Sequence, residues 1–357
     1  MYKEALNILN ILENNGYKAY IIGGYVRDKL LGIKNDDIDI VTSAKPIEIQ
    51  KIFNIEIEDN YGSIKMNFNG YKFDITTFRK EDNYLDSRRP SNVEYVSTLD
   101  EDIKRRDFTI NSIAIDKDGN YIDLLNGIED LNKKIIRCIG DSDLKLKQDP
   151  LRILRAIRFS CIYNLKLDNE LKKSIEKNKE LIRKLSFDRI KKELDAIFSS
   201  SNVNLFIDMI NCFDLYKTLQ IKPKNSVITT NNYLSIWAQL DYSDNYNFSN
   251  EEKKYINDIK EVINQGINSY TVYKYDKNII KEANKIVKCN NIDILYDNLS
   301  IKTRKDIDIT YDELFNIVKD KSIINKIYID LEKQILYNNL KNKKQDIISY
   351  LEGDNIE

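Results

Sequence analysis

Residues 21–42 read IIGGYVRDKLLGIKNDDIDIVT, and the order of their parts decides how the first third of the chain folds. The strand-like YKAYII of residues 17–22 runs into two adjacent glycines, Gly23 and Gly24, and a candidate helix follows. Glycine lets a backbone approach a triphosphate closely, and a helix start then offers free N–H groups to the anion. DIDIVT, residues 37–42, reads as the next strand and carries Asp37 and Asp39 two positions apart. Period two places both carboxylates on one strand face, where they can hold divalent cations together. A phosphate cradle followed by a paired-carboxylate metal site is what nucleotidyl transfer needs. An Asp-x-Asp alone carries little weight, because DIDI recurs at Asp306–Ile309 with no Gly-rich turn before it.

The chain has 357 residues, which suggests several domains, and 56 basic against 57 acidic residues give a net charge of −1. RNA binding would therefore rest on local patches rather than bulk charge. No run reaches the length of a membrane-spanning helix, and Met1–Glu4 begins no signal peptide, so a cytoplasmic protein is expected. Cys138, Cys161, Cys212 and Cys289 lack metal-type spacing and read as small apolar residues in a reducing compartment. There is no histidine. That removes Ser-His-Asp triads, His-ligated zinc and His-Asp phosphohydrolases, and it makes metal activation the leading chemistry.

Residues 1 to about 140 mix short strands with helices. KPIEIQKIF reads as a helix, SIKMNF and YKFDITTF as a hairpin turning at Asn69-Gly70, and TINSIAID with NYIDLL as a pair across Asp118-Gly119. The expectation is a small mixed sheet flanked by helices. Beyond about 141, DPLRILRAIRFSCIY, NELKKSIEKNKELIRKL, FDRIKKELDAIF, VNLFIDMINCF and later segments space their apolar residues as amphipathic helices do.

Three further stretches carry chemistry. Asp74 in YKFDITTF faces away from Phe73 and Ile75, where a neighbouring strand could bring it beside Asp37 and Asp39 as a third metal ligand and catalytic carboxylate. KRRDFTINS, residues 104–112, supplies Arg106 for phosphate oxygens, Asp107 for ribose hydroxyls, and Asn111. QDPLRILRAIRF, residues 148–159, places Asp149 and Pro150 as a helix cap and first turn, then Arg152, Arg155 and Arg158 at spacing three beside the packing stripe Leu151, Leu154 and Ile157.

GGYVRD with Asp37-x-Asp39, RRDFT at 105–109, QDPLR at 148–152 and SFDRIKKEL at 186–194 together resemble the class II (bacterial-type) tRNA nucleotidyltransferases, the CCA-adding enzymes and their poly(A) polymerase relatives. The resemblance covers roughly the first 200 residues. It implies an α+β nucleotidyltransferase head (1–140), then an elongated all-α neck (141–200), body (201–280) and tail (281–357). It implies Mg²⁺, as two ions on Asp37 and Asp39, with CTP and ATP as substrates and the tRNA acceptor end as partner; no membrane or protein partner is implied. Gly23, Gly24, Arg27, Arg106, Asp107, Asn111, Asp149, Arg152, Arg155 and Arg158 would bind the nucleotide. Asp149 and Arg152 would read its base. Cytosine and adenine both show an amine donor beside a ring-nitrogen acceptor, whereas uracil and guanine show a carbonyl and an N–H. Gln148 stands where the family usually has Glu.

Within the family, poly(A) polymerases carry a Gly-Arg-Arg-Phe stretch leading to a histidine, which this sequence lacks. CC-adding enzymes lack a flexible loop before RRDFT. Residues 78–96, FRKEDNYLDSRRPSNVEYV, look like that loop intact, with Asp86, Arg88 and Arg89 in it. Complete CCA addition is the favoured reading, with A-addition alone as the alternative and a non-enzymatic RNA-binding scaffold as the reading from another class. Lys172, Lys173, Lys177, Arg183, Lys184, Lys191 and Lys192 form a candidate RNA-facing patch.

Overall fold

The structure, a computed structural model, describes residues 1–55, 62–84, 90–223 and 226–353; of residues 81–84 and 90–93 it describes the backbone alone. The chain divides into two compact units, Met1–Ile221 and Lys222–Glu357. No helix among the described residues is long and apolar enough to cross a membrane.

The first unit opens with α1 (Tyr2–Asn14), β1 (Ala19–Ile22), α2 (Gly24–Leu30), β2 (Asp39–Thr42) and α3 (Pro46–Phe53). Then come β3 (Ser63–Phe68), β4 (Tyr71–Thr77), a hairpin of β5 (Arg79–Tyr84) and β6 (Pro90–Tyr95), α4 (Leu99–Lys104), β7 (Ala114–Ile115), β8 (Tyr121–Ile122) and α5 (Gly127–Asn132). Six strands form one sheet in the order β3-β4-β2-β1-β7-β8, in which β2 and β4 run parallel and the other neighbours antiparallel. This is the expected mixed sheet. Asn69 and Gly70, at φ 50° and 82°, supply the two left-handed positions of a tight turn between β3 and β4.

Three local readings differ. The strand carrying the aspartate pair begins at Asp39, so Asp37 sits in the segment that leads into it. Exposure still alternates, with Ile38 and Ile40 buried and Asp37 and Asp39 open, so the shared face survives. Thr109–Asn111 is a 3₁₀ turn rather than strand, because one local and one tertiary side-chain bond hold it: Ser112 Oγ donates to the Thr109 carbonyl and Thr109 Oγ1 to Asp130. Residues 78–96, read as a loop, contain the paired strands β5 and β6; Asp86, Arg88 and Arg89 lie outside the described residues.

Helices α6 (Ser142–Gln148), α7 (Leu151–Tyr163), α8 (Asn169–Asn178), α9 (Phe187–Phe198), α10 (Val203–Cys212) and α11 (Tyr216–Leu219) follow in the first unit. Helix α7 matters most, because it buries Ile153, Leu154, Ala156, Ile157 and Phe159 together with Arg152, while Arg155 and Arg158 stay partly open. Phe159 meets Phe108 edge-on at 5.8 Å, which seats α7 against the segment that follows α4. In the second unit the regular elements are helices but for the short strand segment 240–242 and the end of the segment 221–223; with the strand segment at 166–167 these are a small departure from the all-α expectation. Its core gathers Tyr270, Leu314, Leu331, Ile335 and Ile347.

Candidate active site

Gly23, at φ 87°, stands just ahead of α2, a conformation that glycine adopts without strain. A Cβ placed there would lie 3.6 Å from Asp39 Oδ2 and 3.8 Å from Arg106 Nη1. The missing side chain therefore keeps open the space between a carboxylate and a guanidinium. Around it lies a cleft of about 620 Å³. The cleft gathers Gly23, Gly24, Arg27, Asp37, Asp39, Arg106, Asp107, Asn111, Asp149, Arg152, Arg155 and Arg158, so segments 130 residues apart in sequence meet as the motifs suggest.

Asp74 does not line the cleft. It stands beside Asp39 in register across β2 and β4, and its Oδ1 is buried with no hydrogen-bond partner. Burial raises the Asp39 carboxyl to about 6; Asp37 and Asp74 push it the same way, while Arg106 opposes them. A carboxylate that waits for positive charge fits a divalent cation. Among the described residues no three carboxylates close into a ready-made metal cage, so the fit is with a pair open to substrate oxygens.

The arginines are held in different ways. Arg106 donates from Nε and Nη2 to Asp102 Oδ2 at 3.2 and 3.1 Å, and Arg105 Nε donates to Asp102 Oδ1 at 2.8 Å. Burial alone would raise the fully buried Asp102 carboxyl, but the two guanidiniums hold it below the usual range. Burial would likewise raise Asp107, yet Arg155, Asn111 and the Phe108 N–H bring it down to about 2. Arg155 Nε donates to Asp107 Oδ2 at 2.8 Å. Arg158 lies 2.9 Å from Glu193 and its guanidinium covers the Phe159 ring.

Arg152 lacks a carboxylate partner in its hydrogen bonds. Its Nη1 donates to the Lys145 carbonyl at 3.0 Å and its Nη2 to the Arg105 carbonyl at 3.2 Å. Two neutral acceptors fix the fork while leaving its charge uncancelled. Asp149 Oδ1 accepts from Arg189 Nη2 at 3.1 Å and from the Leu151 N–H at 3.2 Å. The helix thus begins one residue later than the expected cap, with Pro150 in the cap position, although Asp149 still binds an N–H of the first turn. Arg189, quoted in the SFDRIKKEL motif, and Asp28 and Asp102, acidic neighbours of the motif arginines, have roles that sequence reasoning did not assign. For Asp28 and Asp102 the signal was an acidic residue within a few positions of a motif arginine; Arg189, 40 positions from Asp149, gave none beyond its place in the motif.

The second DIDI serves structure. Asp306 Oδ2 accepts from the Lys302 and Thr303 N–H groups at 2.8 Å each, and Asp308 Oδ2 accepts from the Lys344 N–H at 3.0 Å. Of the candidate RNA-facing residues, Lys177 bonds Asp143, Arg183 pairs with Glu180, and Lys191 pairs with Asp195; Lys172, Lys173, Lys184 and Lys192 are exposed.

Residues 19–137 match the poly A polymerase head domain, residues 164–223 the probable RNA and SrmB-binding site of polymerase A, and residues 242–351 the putative tRNA nucleotidyltransferase domain 2. The CCA-adding enzyme of Ligilactobacillus salivarius is 33% identical over 97% of this chain and 95% of its own length. The chain belongs to the CCA-adding enzyme family. The Staphylococcus haemolyticus member is 31% identical over 98% of both chains. Two solved structures share the fold. The Bacillus stearothermophilus CCA-adding enzyme in complex with CTP has a TM-score of 0.73 at 21% identity over 98% of this chain and 96% of that one. The Thermotoga maritima enzyme complexed with tRNA_CCA has a TM-score of 0.68 at 20% identity over 97% and 93%. The resemblance read from the motifs and the expected head-then-helical architecture are both upheld.

Proposed function

We propose that this chain extends the 3′ end of tRNA by C, C and A, taking CTP and ATP and releasing pyrophosphate, at the cleft between Gly23, Asp39 and Arg152. The observation that carries the reading is the convergence of a glycine-opened space, an aspartate pair with a raised carboxyl and a fixed, uncancelled guanidinium in one cleft. Relatives that span this whole chain and bear the name CCA-adding enzyme support it.

Asp37 and Asp39 would hold two Mg²⁺ ions, with Asp74 behind them adding negative charge. When bound, the metal supplies acidification of the RNA 3′-hydroxyl and neutralises charge on the departing pyrophosphate. Gly23 and Gly24 admit the triphosphate, and Arg106 faces it from the Asp102 clamp. Asp107 accepts from the Phe108 N–H, Asn111 and both arms of the Arg155 fork, so a ribose hydroxyl would reach it by taking the place of one of these donors. Asp149 accepts from the exocyclic amine and Arg152 donates to the ring nitrogen of C or A. Uracil and guanine mismatch both contacts, and at ~1–3 kcal/mol per unsatisfied group they are rejected by roughly 30-fold to 10⁴-fold. We assign the head to 1–140, the neck to 141–200, the body to 201–280 and the tail to 281–357, and the protein to the cytoplasm.

The test is incorporation of labelled CTP into tRNA lacking its 3′ end. Asp37→Ala and Asp39→Ala each abolish it while tRNA binding persists. Near-normal turnover in either variant refutes the metal assignment.

A further inference from the structure

Asp37 is the one member of the carboxylate pair outside the sheet, so something other than strand pairing must fix it. Its backbone N–H donates to Asn35 Oδ1 at 2.8 Å, closing a turn over two residues. The same Asn35 donates from Nδ2 to Asp28 Oδ2 at 2.7 Å. Asp28 is buried, and its Oδ1 accepts from Arg27 Nε at 2.9 Å and Nη2 at 2.8 Å. Arg27 Nη1 donates to Asn111 Oδ1 at 2.6 Å, and Asn111 Nδ2 donates to Asp107 Oδ1 at 3.1 Å. Asp107 Oδ2 accepts from Arg155 of α7, the helix whose first turn holds Arg152.

The chemistry of these groups fixes every link. Carboxylates only accept, guanidiniums only donate, and each bridge between a carboxylate and an N–H or an arginine is an asparagine, which does both. Asp28 accepts and the Asp37 N–H donates, so position 35 needs a side chain that does both across that span, as the amide does in the observed orientation. The neighbours Lys34 and Asp36 are exposed, and the ion pair between them lies at 3.6 Å on the surface, so neither anchors this segment.

We propose that Asn35 is a positioning residue for the metal-binding pair: it ties Asp37 to a buried hydrogen-bond chain that begins at Arg155. The inference rests on the metal role of Asp37 and Asp39 given above. Loss of the tether frees the Asp37 segment without removing any ligand, so metal affinity falls while nucleotide and tRNA contacts stay.

The experiment is a titration of the full-length protein with Mn²⁺ alone, free ion read by electron paramagnetic resonance. Asn35→Ala raises the Mn²⁺ dissociation constant by roughly 3- to 10-fold, the worth of one lost hydrogen bond. Asn35→Ser keeps an acceptor for the Asp37 N–H but is too short to reach Asp28, and it shows a similar rise. Asn342→Ala removes the comparable bond to the Asp308 N–H in the second DIDI and changes nothing. The tRNA dissociation constant of the Asn35 variants matches the parent, and the melting temperature falls by no more than the few degrees that one lost hydrogen bond costs. Unchanged Mn²⁺ affinity in Asn35→Ala, or parental affinity in Asn35→Ser, overturns the tether. So does a parallel loss of tRNA binding and thermal stability, which marks a general structural role. Asp39→Ala separates the two readings. If it abolishes Mn²⁺ binding while Asn35→Ala does not weaken it, the inference about Asn35 alone fails. If it leaves Mn²⁺ bound, the metal assignment fails and takes the tether with it.

Discussion

Replacing Asp39 by Asn should stabilise the metal-free protein while abolishing its chemistry. The Asp39 carboxyl rises from 3.8 to about 6, chiefly because burial disfavours its charge and then because Asp37 and Asp74 stand close. At 1.36 kcal/mol per pH unit the gap is worth about 3 kcal/mol at most. The side chain is exposed at the cleft, however, and solvent screening reduces the figure to about 1 kcal/mol. The sign follows from the raised value: folding penalises the charged form, so the cost is fully present above pH 6 and fades as the pH falls towards 3.8. Asn carries no charge, and its amide can donate to the unpartnered Asp74 Oδ1. Calorimetry in chelator at about pH 8 should show the first unit of the variant melting about 2–4 °C higher. The advantage should shrink near pH 4.5, and added Mg²⁺ should raise the parent alone. A variant that melts lower than the parent at pH 8 without metal would refute the electrostatic reasoning.

Base reading predicts that Asp149→Asn admits UTP, since the amide can offer a donor to the uracil O4, while stability changes little because the Asn Oδ1 can still accept from the Leu151 N–H and from Arg189. Arg152→Ala should slow CTP and ATP use and relax discrimination against UTP and GTP; kcat/KM for the four nucleotides decides both. Deleting residues 82–90 should leave CC addition and stop the reaction before A, read by the length of the product. Asp306→Ala should lower the melting point of the second unit, because two N–H groups lose their acceptor, with incorporation unaffected.

Much of this arrangement was legible in the sequence because the decisive residues obey local rules. Gly23 needed a positive φ, Asn69-Gly70 specified a turn, and alternation along residues 37–40 put the aspartates on one face. The cleft collected motifs from residues 23 to 158 because family order fixed what spacing alone could not. What escaped were the partners. Asp102, Asp28, Asn35 and Arg189 act through contacts with residues from one to 40 positions away, and a charged residue on a helix face looks alike whether solvated or clamping an arginine. The 3₁₀ turn at 109–111 escaped for a related reason, since the Thr109 bond to Asp130 is a tertiary contact that a strand pattern conceals.

The most direct measurement is the sequence of the product made by the purified chain from tRNA lacking its 3′ end, with Mg²⁺ and all four nucleotides supplied together. The account predicts three added residues, C, C and A, followed by arrest, with U and G absent. A product extended only by A, a long A tract, or an unextended tRNA would contradict it.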